Sequence, residues 1–248
     1  MSTAPLTSDF DLDEFDPEDV DVELVVFDMA GTTVSDDGLV ERAFVLAAQR
    51  SGIADTSDAL EEAVAFVRET MGQSKLEVFR ELTDSEEAAV EATTAFETAY
   101  SELVERVGVT EVLGAADLFQ ELRDAGVKVA LVTGFSRATQ DALIDMLGWR
   151  DLIDVSLCPV EAGRGRPYPD LPLTALLRTG TSSVAAMVVV GDTASDMLSG
   201  LSAGAGLVVG VRTGTHDTET LEDAGADVVI DSVADLAELL GLRGDAIE

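Results

Sequence analysis

Cysteine occurs once in the chain, at Cys158, so no internal disulfide can form. That residue is expected to pack as a small apolar group at a strand end. No apolar run approaches the ~20 residues that a membrane-spanning helix needs. The N-terminal segment is acidic and has no basic stretch ahead of an apolar one, so no secretory signal is expected and the cytoplasm is the expected compartment. Histidine also occurs once, at His216, and reads as a loop residue. Lysine occurs twice, at Lys75 and Lys128; every other basic residue is arginine.

Acid fills the gap. The chain holds 49 acidic residues against 15 basic ones, a formal charge of −34. Such a field repels nucleic acid and anionic membrane surfaces, which excludes both as general partners. An acidic, lysine-poor surface on a chain that is 46% hydrophobic fits a soluble protein from a high-salt cytosol. There, screening over ~3 Å in molar salt removes most of the self-repulsion. A length of 248 residues suits one large domain or one core with a smaller insertion.

Six runs read as strands: Glu23–Asp28, Val127–Thr133, Val155–Pro159, Met187–Asp192, Leu207–Val211 and Val228–Ile230. Most are continuously apolar, the pattern of parallel strands buried on both faces. Helices lie between them. Ala116–Ala125 stops at Gly126, and Arg137–Leu147 follows Ser136 as N-cap and stops at Gly148. The expected fold is a doubly wound α/β parallel sheet. About a hundred residues separate the first two strands, too many for a simple crossover. They read as helices, with capping boxes at Asp58/Glu61 and Thr83/Glu86, and apolar stripes at Leu60, Val64, Val67 and Met71 and at Phe96, Tyr100, Leu103 and Val107. Between the stripes, Met71-Gly72-Gln73-Ser74-Lys75 breaks the pattern and is expected to form a loop facing the site. The expected division is an acidic mobile tail at 1–20, a core at 21–36 and 110–248, and a helical cap at 37–109.

Four strand ends carry residues with chemistry. Asp28 ends the first and enters a Gly31-Thr32 turn, Thr133-Gly134 ends the second, Gly163 to Pro169 follows the third, and Gly191-Asp192-Thr193-Ala194-Ser195-Asp196 ends the fourth. In a parallel sheet these ends point to one crevice. It would hold carboxylates for a hard cation, a hydroxyl and amides for phosphate oxygens, and a fixed positive charge.

In this order and spacing the segments resemble the haloacid dehalogenase superfamily, from about residue 22 to residue 240. The resemblance implies a Rossmann-like core, an inserted α-helical cap and Mg²⁺. It implies Asp28 as the nucleophile that forms an aspartyl-phosphate, Thr133 on the transferring phosphoryl group and Arg166 in place of the third motif's lysine or arginine. It further implies metal ligation by Asp28, the Ala30 carbonyl and Asp192, with Asp196 in support, and substrate contacts at Thr32, Gly134, Met71 and Gly72. These roles suit phosphoryl transfer, which needs in-line positioning and neutralised charge.

Asp-Met-Ala-Gly-Thr-Thr at 28–33, Gly-Arg-Pro-Tyr-Pro at 165–169 and Met71-Gly72-x-x-Lys75 are most similar to the phosphonatase-like branch. Its Schiff-base lysine matches Lys75. Ala30 stands where other branches carry an aspartic acid that protonates the leaving group, and an iminium on Lys75 that absorbs the departing electron pair would need no such acid. Two positions depart from the phosphonatases: Val78 replaces a histidine and Gly38 a cysteine. The expected activity is Mg²⁺-dependent hydrolysis of a small organophosphonate or phosphate ester, by a monomer or a homodimer. The alternatives are a phosphoglycolate phosphatase-like enzyme in which Lys75 only binds substrate, and a non-catalytic phosphate-binding protein of the same fold. The charge reading makes its own prediction: the thermal midpoint rises between about 0.1 M and about 3 M KCl. A midpoint that is flat or falls over that range in a salt titration removes the high-salt reading.

Overall fold

The computed structural model describes residues 21–35, 37–54 and 56–243; the expected tail at 1–20 lies outside them. Six parallel strands form one sheet: β1 Leu24–Asp28, β2 Lys128–Val132, β3 Val155–Leu157, β4 Met187–Gly191, β5 Leu207–Val211 and β6 Val228–Ile230. Their order is β3-β2-β1-β4-β5-β6, with Phe27 facing Leu131 on one side and Val190 on the other. All six expected runs contain a strand. The third is shorter than expected, because Pro159 lacks an N–H and opens a helix instead.

Between β1 and β2 the chain forms α1 Leu39–Arg50, α2 Ser57–Glu69, α3 Lys75–Leu82 and α4 Glu86–Val107, and then α5 Ala115–Asp124. The remaining helices are α6 Arg137–Leu147, α7 Pro159–Ala162, α8 Asp170–Thr179, α9 Ala194–Ala203, α10 Thr218–Asp223 and α11 Leu236–Leu239. The period of two sorts the strand side chains between the faces. Val25, Phe27, Val129, Leu131, Val188 and Val190 meet Leu118, Phe119 and Leu122 of α5 and Leu143 and Ile144 of α6. Leu24, Val26, Ala130, Val132, Met187 and Val189 meet Leu171 and Ala175 of α8 and Ala203 of α9. Helices on both faces explain why the strands are apolar throughout.

The helices α1 to α4 form the cap, with α1 and α3 both packed on α4. Phe44 stacks on Phe79 at 5.4 Å, and the apolar cluster runs from the sheet face into the cap without a break. Two expected caps are corrected. Thr56, not Asp58, caps α2 by accepting from the Ala59 N–H, and Ser85, not Thr83, caps α4 by accepting from the Ala88 N–H. The Thr83 hydroxyl is instead donated to the Phe79 carbonyl at the end of α3.

The strand order turns back at β1 and β4, so the crevice at their carboxyl ends is the topological switch point. Beneath it, Phe119 lies 5.3 Å from Phe27 and meets Trp149 edge-on at 5.2 Å. Phe119→Ala is expected to lower the free energy of unfolding by about 3–5 kcal/mol. Urea denaturation followed by the emission of Trp149 checks this, and a loss below about 1 kcal/mol would contradict the packing of α5 under β1.

Candidate active site

β1 ends at Asp28 because the chain then folds back tightly. The N–H groups of Thr32, Thr33 and Val34 all donate to the Met29 carbonyl, at 3.2, 2.9 and 2.7 Å. Gly31 takes a positive φ of 90° at the apex, a conformation that costs a side-chain-bearing residue free energy. The Thr33 hydroxyl donates to the Asp28 carbonyl at 2.9 Å. The nucleophile candidate is thus fixed by a turn whose own polar groups are satisfied locally.

Asp192 follows β4 and Asp196 sits in the first turn of α9. Carboxylate oxygens of Asp28, Asp192 and Asp196 lie within 4.8 Å of one another, and all three residues are buried. Asp192 is held from three directions: Thr32 donates its hydroxyl to Oδ1 at 2.8 Å, Thr215 donates its N–H to Oδ2 at 2.8 Å, and His216 donates its N–H to the Asp192 carbonyl at 3.2 Å. A Cβ at Gly214 would overlap the same carboxylate, so only glycine lets the loop come this close. Asp196 closes a capping box, accepting from the Thr193 N–H at 3.1 Å. It is at once a helix cap and a member of the acidic cluster.

Arg166 reaches this cluster from the loop after α7. It pairs with Asp28 Oδ1 at 2.6 Å and with Asp196, and both its partners and its own side chain are almost wholly buried. One guanidinium faces three buried carboxylates, so full ionisation of all three would leave negative charge in excess. Burial pushes the Asp192 carboxyl up to about 8, and the charges of Asp28 and Asp196 add to the rise. Burial likewise pushes Asp28 up to about 6, with Arg166 opposing. Burial works against the charge of Arg166, yet Asp196 and Asp28 together hold it above the usual guanidinium range. Three oxygen-donor groups with this deficit of positive charge could hold a divalent hard cation.

The cap closes over the cluster. Asp28, Ala30, Thr133, Gly134 and Arg166 from the core, and Met71, Gly72 and Lys75 from the cap, line one cavity of about 30 Å³. Thr133 Oγ1 accepts the Phe135 N–H at 3.2 Å, which leaves its own proton for an anionic ligand. The Lys75 N–H donates to the Gly134 carbonyl at 3.4 Å. Gly72 and Gly134 set the closeness of the two surfaces: a Cβ at Gly72 would overlap the Thr193 hydroxyl, and one at Gly134 would overlap the Gln73 carbonyl.

The structure therefore brings together eight of the eleven candidate residues at the cavity wall, with Asp192 and Asp196 immediately behind it. Thr32, expected on the substrate, has its hydroxyl committed to Asp192. Four contributors were not singled out as site residues: Thr215 and Gly214, which seat Asp192, and Phe96 and Phe135, whose rings flank the Lys75 ammonium. Phe96 reads in the sequence only as part of an apolar stripe, and no local signal distinguishes it from its neighbours.

Comparison with known proteins agrees with this geometry. A phosphonoacetaldehyde hydrolase of Bacillus cereus (strain AH187) is 30% identical over 216 residues, covering 79% of this chain and 78% of that protein. A bifunctional phosphonoacetaldehyde hydrolase/aminoethylphosphonate transaminase of Clostridioides difficile (strain 630) is 28% identical; the match takes in 88% of this chain but only 40% of that longer protein. The crystal structure of a phosphonoacetaldehyde hydrolase-like protein from Oleispira antarctica superposes with a TM-score of 0.75 at 25% identity, covering 89% of this chain and 91% of that one. The model of the haloacid dehalogenase-like hydrolases matches residues 22–204. With nearly three quarters of its length inside that match, and with the motif carboxylates gathered at the switch point of the sheet, the chain belongs to the haloacid dehalogenase-like hydrolases.

Proposed function

We propose that this enzyme is a Mg²⁺-dependent phosphonatase-like hydrolase that cleaves a small organophosphonate carrying a carbonyl group next to the phosphonate-bearing carbon. The observation that carries this reading is that Lys75 and Asp28 line one cavity in which Ala30 offers no acid. Relatives named phosphonoacetaldehyde hydrolase support the same substrate class.

Asp28, Asp192 and Asp196, with the Ala30 carbonyl, are the groups that would hold Mg²⁺. The ion would supply charge neutralisation for the phosphoryl oxygens. The donor set fits it, because only oxygen ligands are offered and the three carboxylates, once ionised, outnumber the guanidinium paired with them.

The chain's own residues then divide the work. The Lys75 amine condenses with the substrate carbonyl to an iminium, releasing water. Asp28 attacks phosphorus in line as the carbon–phosphorus bond breaks, and the bond's electron pair enters the iminium as an enamine. Protonation and hydrolysis of the enamine regenerate Lys75, and water hydrolyses the aspartyl-phosphate. Thr133 and Arg166 supply a hydroxyl donor and a permanent cation for the phosphoryl oxygens. The histidine and cysteine of the phosphonatases have no counterpart beside Lys75. Val78 is buried and apolar, and His216 has its Nδ1 occupied by the Ala194 N–H at 2.9 Å.

Asp28→Asn is expected to reduce phosphate release by about 10³-fold or more, measured with phosphonoacetaldehyde and Mg²⁺ in molar KCl. Borohydride added during turnover is expected to leave a reduced adduct on Lys75, located by peptide mass, and Lys75→Arg is expected to give neither adduct nor product. If no adduct forms while ordinary phosphate esters turn over, Lys75 is a substrate-binding cation and the enzyme is an ester phosphatase.

The raised carboxyls give a pH prediction. An acid whose folded pKa exceeds its unfolded value stabilises the fold below the unfolded value and loses that stabilisation as pH rises through the folded one. In metal-free protein, Asp28 and Asp192 should therefore cost stability progressively as pH rises from about 4 to about 8. Mg²⁺ binds the ionised groups and displaces their protons, so its stabilising effect should be larger near pH 9 than near pH 5, each about a unit beyond the outer midpoint on its side. Thermal midpoints with and without Mg²⁺ at the two pH values measure this, and an equal gain at both would contradict it.

A further inference from the structure

The walls around Lys75 come from two bodies. Its Nζ lies 5.5 Å from the centre of the Phe96 ring and 5.9 Å from that of Phe135. Phe96 belongs to α4 of the cap, on the same body as Lys75; Phe135 belongs to the core loop after β2. The two rings stack at 6.2 Å with 21° between their planes, and Tyr100, one turn further along α4, stands 4.7 Å from Phe135. The two rings beside the ammonium thus come one from the cap and one from the core, and they meet only while the two are docked.

The neighbouring residue in each half binds the halves together. Glu97 follows Phe96 on α4, and Ser136 follows Phe135 as the N-cap of α6. The Glu97 carboxylate accepts the Ser136 N–H at 3.1 Å, the Ser136 hydroxyl at 2.8 Å and the Thr139 hydroxyl. These are charge-assisted bonds made at the positive end of an eleven-residue helix. None of them survives separation of cap and core.

Resting on the reading of Lys75 as the amine that meets the substrate, we propose that Glu97 is a positioning residue. By binding the N-terminus of α6 it seats Phe135 against Phe96, and so completes the aromatic wall that shields one side of Lys75 from water while the substrate is held. Glu97 is not among the residues that line the cavity with Asp28; it acts through Phe135.

The two lysines of the chain make the test direct. Lys75 is buried, whereas the Lys128 side chain is 49% exposed and serves as an internal reference. Reductive methylation of the full chain with formaldehyde and a borane reductant, read by peptide mass, gives the ratio of the two rates. In the unaltered protein Lys75 should react about tenfold or more slowly than Lys128. Glu97→Ala should raise the Lys75 rate by about tenfold and leave Lys128 unchanged. Glu97→Gln, which is isosteric and keeps one acceptor oxygen, should fall between the two. Phe135→Leu, which keeps apolar bulk but not the ring, should expose Lys75 while Glu97 is intact. Turnover of phosphonoacetaldehyde by Glu97→Ala should fall mainly in kcat, with KM changed by less than about threefold.

Equal protection of Lys75 in the unaltered protein and in both Glu97 variants, with native circular dichroism, overturns the proposal. So does a variant whose Lys128 rate rises together with that of Lys75, because that outcome reports general loosening. If Lys75 is exposed selectively in the Glu97 variants but not even the unaltered protein cleaves phosphonoacetaldehyde, the substrate assignment falls and the positioning role of Glu97 stands.

Discussion

A surplus of buried negative charge governs this molecule. Asp28, Asp192 and Asp196 meet at the carboxyl edge of the sheet, and Arg166 pairs with two of them. An unbalanced buried charge is costly, and proteins relieve it by protonation, by pairing or by binding an ion. Here the raised carboxyls of Asp28 and Asp192 record that cost. The local structure serves to keep the cluster from relaxing. The Gly31 turn fixes Asp28, the Thr32 hydroxyl and the Thr215 N–H fix Asp192, and the Thr193 capping box fixes Asp196. A cluster held this way could take up a hard divalent cation.

The cap turns that charged edge into a closed space. Its loop at 71–74, which ends where α3 begins at Lys75 rather than including that residue as expected, approaches the core so closely that glycine is needed on both sides, at Gly72 and Gly134. The approach delivers Lys75 to the wall that holds Asp28. It also places an amine among aromatic rings in a chain that has almost no other lysine. Excluding water strengthens every electrostatic interaction that such an amine makes in the cavity.

Much of this was legible in the sequence. The strands are, because continuous apolar runs leave a buried parallel sheet as the economical packing solution. The helix Arg137–Leu147 is, because Ser136 and Gly148 punctuate it chemically. Local chemistry failed where several residues could do the same job. Thr56, Ser57 and Asp58 are all competent N-caps, and so are Thr83, Asp84 and Ser85; which of them caps is decided by where the chain turns. The Thr83 hydroxyl was already taken by the end of the preceding helix. Thr32 reads as a ligand of substrate until the fold brings Asp192, 160 positions away, within reach of its hydroxyl.

The sequence alone determined the sheet, the helical insertion and the residue types at each strand end, since these follow from periodicity and from motifs read within a few residues. Tertiary structure decided which side chains share a wall. Thr215 and Gly214 lie outside the motifs yet hold Asp192, and Phe96 and Phe135 sit on different bodies yet flank one lysine. Such meetings are set by how close two surfaces pack, and packing distance leaves no mark on the order of residues along a chain.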